Sequence, residues 1–216
     1  YMVDAILPTV DSVEITSATT GMQNNFLNAG DVVSVTATFS EVVNTTGTPQ
    51  LTLAVGSNNR TATYASGTGS APLVFQYTIQ AGDNDTDGIS IGANVLALNN
   101  GTISDPAGNN ATLTHSAVLA NTSYKVDTTA PTVDNFTLSD TALKAGDNAT
   151  VSLVFSEAVI SFSSAADITV PNLDNGTTSG ALTAMTSSDN ITWAGTFTPT
   201  ANTEDASNTL SLATSW

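Results

Sequence analysis

Val126-Asp127-Thr128-Thr129-Ala130-Pro131-Thr132-Val133-Asp134 decides how this chain is read, because Val3-Asp4-Ala5-Ile6-Leu7-Pro8-Thr9-Val10-Asp11 sets out the same pattern 123 residues earlier. A second match follows each copy. Leu27-Asn28-Ala29-Gly30-Asp31 leads into Ser34-Val35-Thr36-Ala37-Thr38-Phe39-Ser40-Glu41, and Leu143-Lys144-Ala145-Gly146-Asp147 leads into Thr150-Val151-Ser152-Leu153-Val154-Phe155-Ser156-Glu157. Two matches in the same order, so far apart, mark tandem copies of one domain and not a short solenoid repeat. The expected domains are residues 1–126 and 127–216.

The 216 residues suffice for two domains of ordinary size, each with its own core. Apolar residues make up 40% of the chain and are regularly spaced, which separates it from a disordered polar chain. Nineteen acidic residues face only Arg60, Lys125 and Lys144, a net charge of −16. Such a surface repels nucleic acid and anionic membranes, so neither is expected as a partner. Fifteen of the acids are Asp, the carboxylate that favours turns and hard-cation sites. A merely solubilising acidic surface is the alternative. The chain has no cysteine, so an extracellular domain of this kind needs a large core or bound metal in place of disulfides. No stretch approaches the ~20 apolar residues of a membrane span. Tyr1-Met2-Val3 shows no signal region, and targeting information is expected elsewhere on a longer polypeptide.

The apolar residues alternate with period two, the pattern of half-buried strands. In the first domain the expected strands are 10–16, 32–39, 50–55, 60–64, 73–80, one or two within 89–103, and a last one within 111–126. Val33, Val35, Ala37 and Phe39 share one face, as do Leu73, Phe75, Tyr77 and Ile79. About seven short strands with frequent turns and no helical period predict an all-β chain of antiparallel sandwiches, with helix confined to short turns. The second domain repeats the plan at 133–138, 149–155, 168–170, 180–185, 191–198 and 209–215. It stops at Trp216, before any counterpart of the last strand, so an edge is expected to be left without its closing strand.

Strand alternation sorts the loops to two ends. Glu41, after the second strand, and the loop Asp105-Pro106-Ala107-Gly108-Asn109-Asn110 fall at the inlet pole. Asp31 and the loop Asp83-Asn84-Asp85-Thr86-Asp87-Gly88 fall at the outlet pole, beside Asp127. Asp83, Asp85 and Asp87 followed by Gly88 match the first half of an EF-hand-type calcium loop, in which Gly permits the tight turn. Asn94 replaces the bidentate Glu at the twelfth position and no flanking helices are readable, which leaves a calcium loop on a β scaffold. Three acids within five residues repel one another without a cation. A solvated Asp/Asn turn is the alternative. Asp105 with Asn109 and Glu41 forms a second candidate site, shared with Asp4. By repetition, Asp127 and Glu157 are expected together at the domain junction. Thr203-Glu204-Asp205 stands where the first domain has Asp83-Asn84-Asp85, diluting the outlet site of the second.

The ordered set of boundary stretch, Ser-Glu after the second strand, Asp-Asn-Asp-Thr-Asp-Gly loop and Asp-x-x-Gly-Asn loop resembles the bacterial Ig-like domains of giant repeats-in-toxin (RTX) adhesins. The resemblance spans the first domain and the second up to Trp216. It implies two tandem Ig-like sandwiches in an extracellular bacterial chain, with Ca2+ at domain ends and junctions. It further implies a stiff extender between a cell-surface anchor and a ligand-binding tip. Neighbouring Ig-like domains of the same chain are then the partners, and the adhesion ligand belongs to other domains. The alternatives are a sugar- or peptide-binding module built on the loops of one pole, or an accessory domain of a secreted enzyme.

Catalysis finds little support. The single His115 lies in an expected strand, as a surface or edge residue, without Cys or a motif Ser. Zinc would want clustered His or Cys. Trp193, Tyr77, Tyr64 and Phe75 fit core positions better than a sugar-stacking platform. The Thr-rich runs lack the short regular repeat of a flat ice-binding face.

Overall fold

A computed structural model describes residues 3–17, 22, 25–172, 176–202, 204 and 209–214. Thr203, Asp205 and the end of the expected 209–215 strand lie outside the described residues. The chain forms two compact units, Tyr1–Thr129 and Ala130–Trp216, so the division falls after Thr129 and not after Val126. Asp127 and Thr128 stay with the first unit because the Asp127 N–H donates to the Leu27 carbonyl and the Thr128 hydroxyl to the Asp83 carbonyl. The fold is all-β, with curled antiparallel sheets of the Ig-like sandwich class. Among the described residues no helix is long and apolar enough to cross a membrane.

The first unit contains β1 (Val10–Ile15), β2 (Phe26–Leu27), β3 (Val32–Thr46), β4 (Gln50–Val55), β5 (Asn58–Ser66), β6 (Ser70–Thr78), β7 (Leu96–Ala97), β8 (Thr102–Ser104) and β9 (Lys125–Val126). The main sheet runs β1-β3-β6-β5-β4-β7, and β8 pairs with β3 off this path. Its core follows the alternation: Val33, Val35 and Ala37 of β3 are 0% exposed and meet Leu73 and Phe75 of β6, also 0%. Full burial of side chains of this size contributes about 1.5–3 kcal/mol each.

Two expectations need correcting here. β3 does not stop at Phe39 but continues to Thr46, with a register shift against β6 between Thr38 and Val43. The bulge lets one strand serve two partners, since Asn44–Thr46 leave β6 and pair with β8. Glu41 therefore sits inside a strand at a bulge, not in a loop. The last segment is also less regular than expected. Between Ala111 and Val126 only isolated bridges at Thr112 and Val118, a 3-10 turn at Thr122–Tyr124 and β9 are formed. Side chains take over ladder bonds there: the His115 N–H donates to Asn94 Oδ1, and the Val95 N–H donates to His115 Nε2. His115 is thus buried, not a surface residue, with Nδ1 donating to the Ser116 carbonyl.

The second unit contains β10 (Val133–Leu138), β11 (Ala149–Phe155), β12 (Ile168–Thr169), β13 (Gly180–Leu182), β14 (Thr192–Pro199) and β15 (Ser211–Leu212), with one helical turn at Ser164–Asp167. Four strands form the sheet β10-β11-β14-β13, and β12 pairs with β15. Phe162 packs edge-on against Phe155 and Trp193, with ring centroids 5.6 and 5.0 Å apart. Trp193 and Tyr64 are half-buried at the margin of their cores, whereas Phe75 and Tyr77 are buried.

Local geometry repeats along with the sequence. Val10 pairs with Phe39 and Val133 with Phe155, each followed by a register shift. The Thr9 N–H donates to Ser40 Oγ and the Ser40 N–H returns to the Thr9 carbonyl; Thr132 and Ser156 make the same clasp.

Candidate metal centre

Among the described residues, Asp4, Glu41 and Asp105 form a group whose carboxylate oxygens lie within 4.8 Å of one another. Each arrives by a different route. Asp105 follows β8 and opens a tight loop. The Asn109 N–H and Nδ2 donate to its two oxygens at 2.8 and 2.7 Å, while the Asp105 N–H donates to the Asn109 carbonyl. Gly108 has a φ of +94°, a conformation that favours glycine and closes this loop. Glu41 comes from the bulged part of β3, which pairs with β8 just beyond it. Asp4 is carried in by the segment before β1, which Thr112 holds by donating to the Pro8 carbonyl at 2.8 Å. Asn109 Nδ2 also donates to the Asp4 carbonyl at 3.2 Å, so Asn109 positions two of the three acids.

The electrostatics of the group are strained. Asp105 is 2% exposed. Its burial works to raise the carboxyl, but hydrogen bonds from Asn109, Gly108 and Ala107 outweigh that and hold it below the usual carboxylate range. Glu41 lacks such donors. Its Oε1 is buried without a hydrogen-bond partner, and burial, then Asp4, then Asp105 push its carboxyl up. A buried carboxylate oxygen facing two other acids is costly unless a cation or proton joins it. An all-oxygen donor set of three carboxylates suits a hard divalent ion.

The Asp83–Gly88 loop is built differently from a calcium loop. Asp83 is 0% exposed and pairs with Arg60, whose Nε and Nη2 both lie 2.6 Å from Oδ1. The Tyr77 hydroxyl and the Gln80 N–H donate to Oδ2. Burial works to raise the Asp83 carboxyl, and these hydrogen bonds with the Arg60 charge bring it below its ordinary value. The Tyr77 hydroxyl is pushed up to about 12, by burial first and then by Asp83. Asp85 accepts from the Gly56 N–H at 2.7 Å and the Gly88 N–H at 2.8 Å, and its own backbone exchanges both hydrogen bonds with Val126. Asp87 is exposed. The three acids do not converge: Arg60 and backbone N–H groups satisfy two of them in place of a shared ion.

Strand alternation, not local spacing, locates that partner. The turn between β4 and β5 lies at the outlet pole by the same alternation that placed Asp83 there, and Arg60 is two residues into β5. Asp31 also has a local role, accepting from the Asn28 N–H at 2.7 Å across its turn. Asp127 accepts from the Thr129 N–H, and its own N–H donates to the Leu27 carbonyl. Glu157, half-buried, follows the Thr132–Ser156 clasp as Glu41 follows that of Thr9 and Ser40.

Residues 127–216 match the family model of a bacterial Ig-like domain. No curated protein matches the chain.

Proposed function

We propose that this chain is a calcium-stiffened spacer of a bacterial surface adhesin, working outside the cell to carry a ligand-binding tip away from its anchor. The observation that carries the reading is the buried, unpartnered Oε1 of Glu41 beside Asp4 and Asp105. Asp4 belongs to the segment that enters the first unit. Asp4, Glu41 and Asp105 would hold the ion, which would supply the positive charge that three converging carboxylates lack. Asn109 orients Asp105 and the Asp4 backbone, so binding would fasten the incoming segment to the sandwich. By repetition in the sequence, Asp127 and Glu157 stand at the positions of Asp4 and Glu41. The similarity of residues 127–216 to a bacterial Ig-like domain supports the architectural part of the reading. Neighbouring domains of the same chain are the partners, and adhesion itself belongs elsewhere.

Calorimetry with calcium, together with melts in calcium and in EDTA, tests this. Binding is expected at roughly 10⁻⁴–10⁻³ M, as for extracellular calcium modules. Calcium at a hundredfold over Kd stabilises by about 2.7 kcal/mol, a rise in Tm of roughly 10 °C for a domain of this size. Glu41→Gln should lose most of the calcium response. In EDTA it should melt no lower than the parent, because the amide removes a repelling charge. A flat titration and coincident melts of the parent chain would overturn the proposal.

A further inference from the structure

The stretch that leaves the first unit is hydrogen-bonded residue by residue. Val126 exchanges both backbone bonds with Asp85, and the Asp127 N–H donates to the Leu27 carbonyl at 3.0 Å. The Thr128 N–H donates to Asn84 Oδ1 at 3.0 Å. Thr128 Oγ1 accepts from the Gly82 N–H at 2.9 Å and donates to the Asp83 carbonyl at 3.0 Å. Asn84 Nδ2 reaches Thr129 Oγ1 at 3.3 Å, and the Thr129 N–H donates to Asp127 Oδ1 at 2.9 Å.

The acidic loop that receives this stretch has two sides. The carboxylates of Asp83 and Asp85 are bound from within, by Arg60, Tyr77 and the Gly56 N–H, and anchor the loop from behind. Gly82 and Asn84 are exposed. The Gly82 N–H, the Asp83 carbonyl and the Asn84 amide are left to bond outward, and Thr128 meets all three with one N–H and one hydroxyl. The two boundary copies differ at this place. Val3-Asp4-Ala5-Ile6 and Val126-Asp127-Thr128-Thr129 share Val and Asp, and both continue into Pro-Thr-Val-Asp. The shared residues recur where each segment enters a unit. The threonine pair belongs only to the segment that passes the Asn84 loop.

We propose that Gly82, Asp83 and Asn84 form a docking site for the outgoing linker, with Asp127-Thr128-Thr129 as its ligand and no ion required. Docking shortens the stretch of chain that is free to turn. Ala130 and Pro131 follow Thr129, and the next residue, Thr132, is already clasped, its N–H donating to Ser156 Oγ at 2.9 Å. The proline ring fixes φ at Pro131 and holds Ala130 to extended backbone. The site selects a hydroxyl residue after the Asp. An alanine there, as at Ala5, has an N–H for Asn84 but nothing for the Gly82 donor or the Asp83 carbonyl. The proposal stands on hydrogen bonds of the first unit and is independent of calcium at Asp4, Glu41 and Asp105.

Amide hydrogen exchange and backbone NMR relaxation of the full chain, in EDTA and in millimolar calcium, test it. In both media the Gly82 and Thr128 amides should be protected, and Thr128 should show an order parameter of about 0.85, that of rigid backbone. Thr128→Ala should speed exchange at Gly82 by about tenfold, the contribution of one hydrogen bond at the upper end of the usual range. Asn84→Ala, at an exposed position, should free the Thr128 amide and lower its order parameter to about 0.6 or less. Core amides such as Val35 and Leu73 should exchange as in the parent in both variants. A Thr128 amide that is unprotected in the parent overturns the proposal. So does protection that appears only with calcium, since an ion and not the loop would then hold the linker. Variants that leave Gly82 and Thr128 unchanged, or that speed Val35 and Leu73 equally, overturn it as well.

Discussion

Asp83→Asn separates a calcium loop from a protein-satisfied carboxylate. The substitution keeps the shape of a fully buried side chain while removing its charge and replacing one acceptor oxygen by a donor. Arg60, the Tyr77 hydroxyl and the Gln80 N–H all donate to the native group, so the amide leaves at least one donor facing another donor. Breaking a buried ion pair costs about 3–5 kcal/mol. The Arg60 side chain is 32% exposed, so water recovers part of its solvation and the lower end, about 3 kcal/mol, applies. For a unit of this size that is a fall in Tm of roughly 10 °C. Melts followed by circular dichroism, in EDTA and in millimolar calcium, should show the same loss in both. A loss confined to the calcium-containing sample, or absent from both, would refute the assignment of Asp83 to Arg60 and Tyr77. The acid limb follows from the same network. Because the folded carboxyl lies below its ordinary value, its contribution is full above the unfolded pKa of about 3.9 and disappears as pH falls through the folded value.

The alkaline limb belongs to Tyr77. Its folded hydroxyl titrates at about 12 against about 10 in the unfolded chain, so the neutral form stabilises the fold below pH 10. About 2–3 kcal/mol is lost between those values, and Tyr77→Phe should flatten the alkaline decline in a pH series of urea melts. Gly88→Ala tests the close approach at the outlet pole. With φ at +97°, a Cβ there would run into the Asn121 carbonyl, and a loss of at least about 2 kcal/mol is expected in urea unfolding. An unchanged midpoint would mean that the Asp85 turn sits differently against the 121–124 segment.

Strand order alone was enough to bring Glu41 and the Asp105 loop to one pole, and the repeat was enough to add Asp4. Those inferences needed only the direction of each strand and its period of two. β4 and β11 fall where the alternation puts them, each buried on one face, and β10 does so with Val133, Phe136 and Leu138 only half-buried. The Asp83-x-Asp85-x-Asp87-Gly88 pattern is a run of carboxylates and says nothing about which donors fold back onto it. Arg60 and the Gly56 N–H come from a hairpin more than twenty residues away, and local spacing does not register them. The bulge in β3 was hidden for a related reason. Phe39 and Val43 are both buried although the step between them spans a register shift, and only pairing with two different neighbours reveals it. The segment from Ala111 to Tyr124 alternates well enough to pass for a strand. Its His115 N–H is met instead by the Asn94 side chain, and the His115 ring accepts from the Val95 N–H, an arrangement that periodicity cannot encode.

The edge-on contact of Trp193 with Phe162 has an optical consequence. Both tryptophans of the chain fall in the second unit and all four tyrosines in the first. Fluorescence excited at wavelengths that only indole absorbs therefore watches one half of the molecule alone. Far-ultraviolet circular dichroism follows the strands of both halves, so a melt scored by the two probes side by side separates the halves without a label.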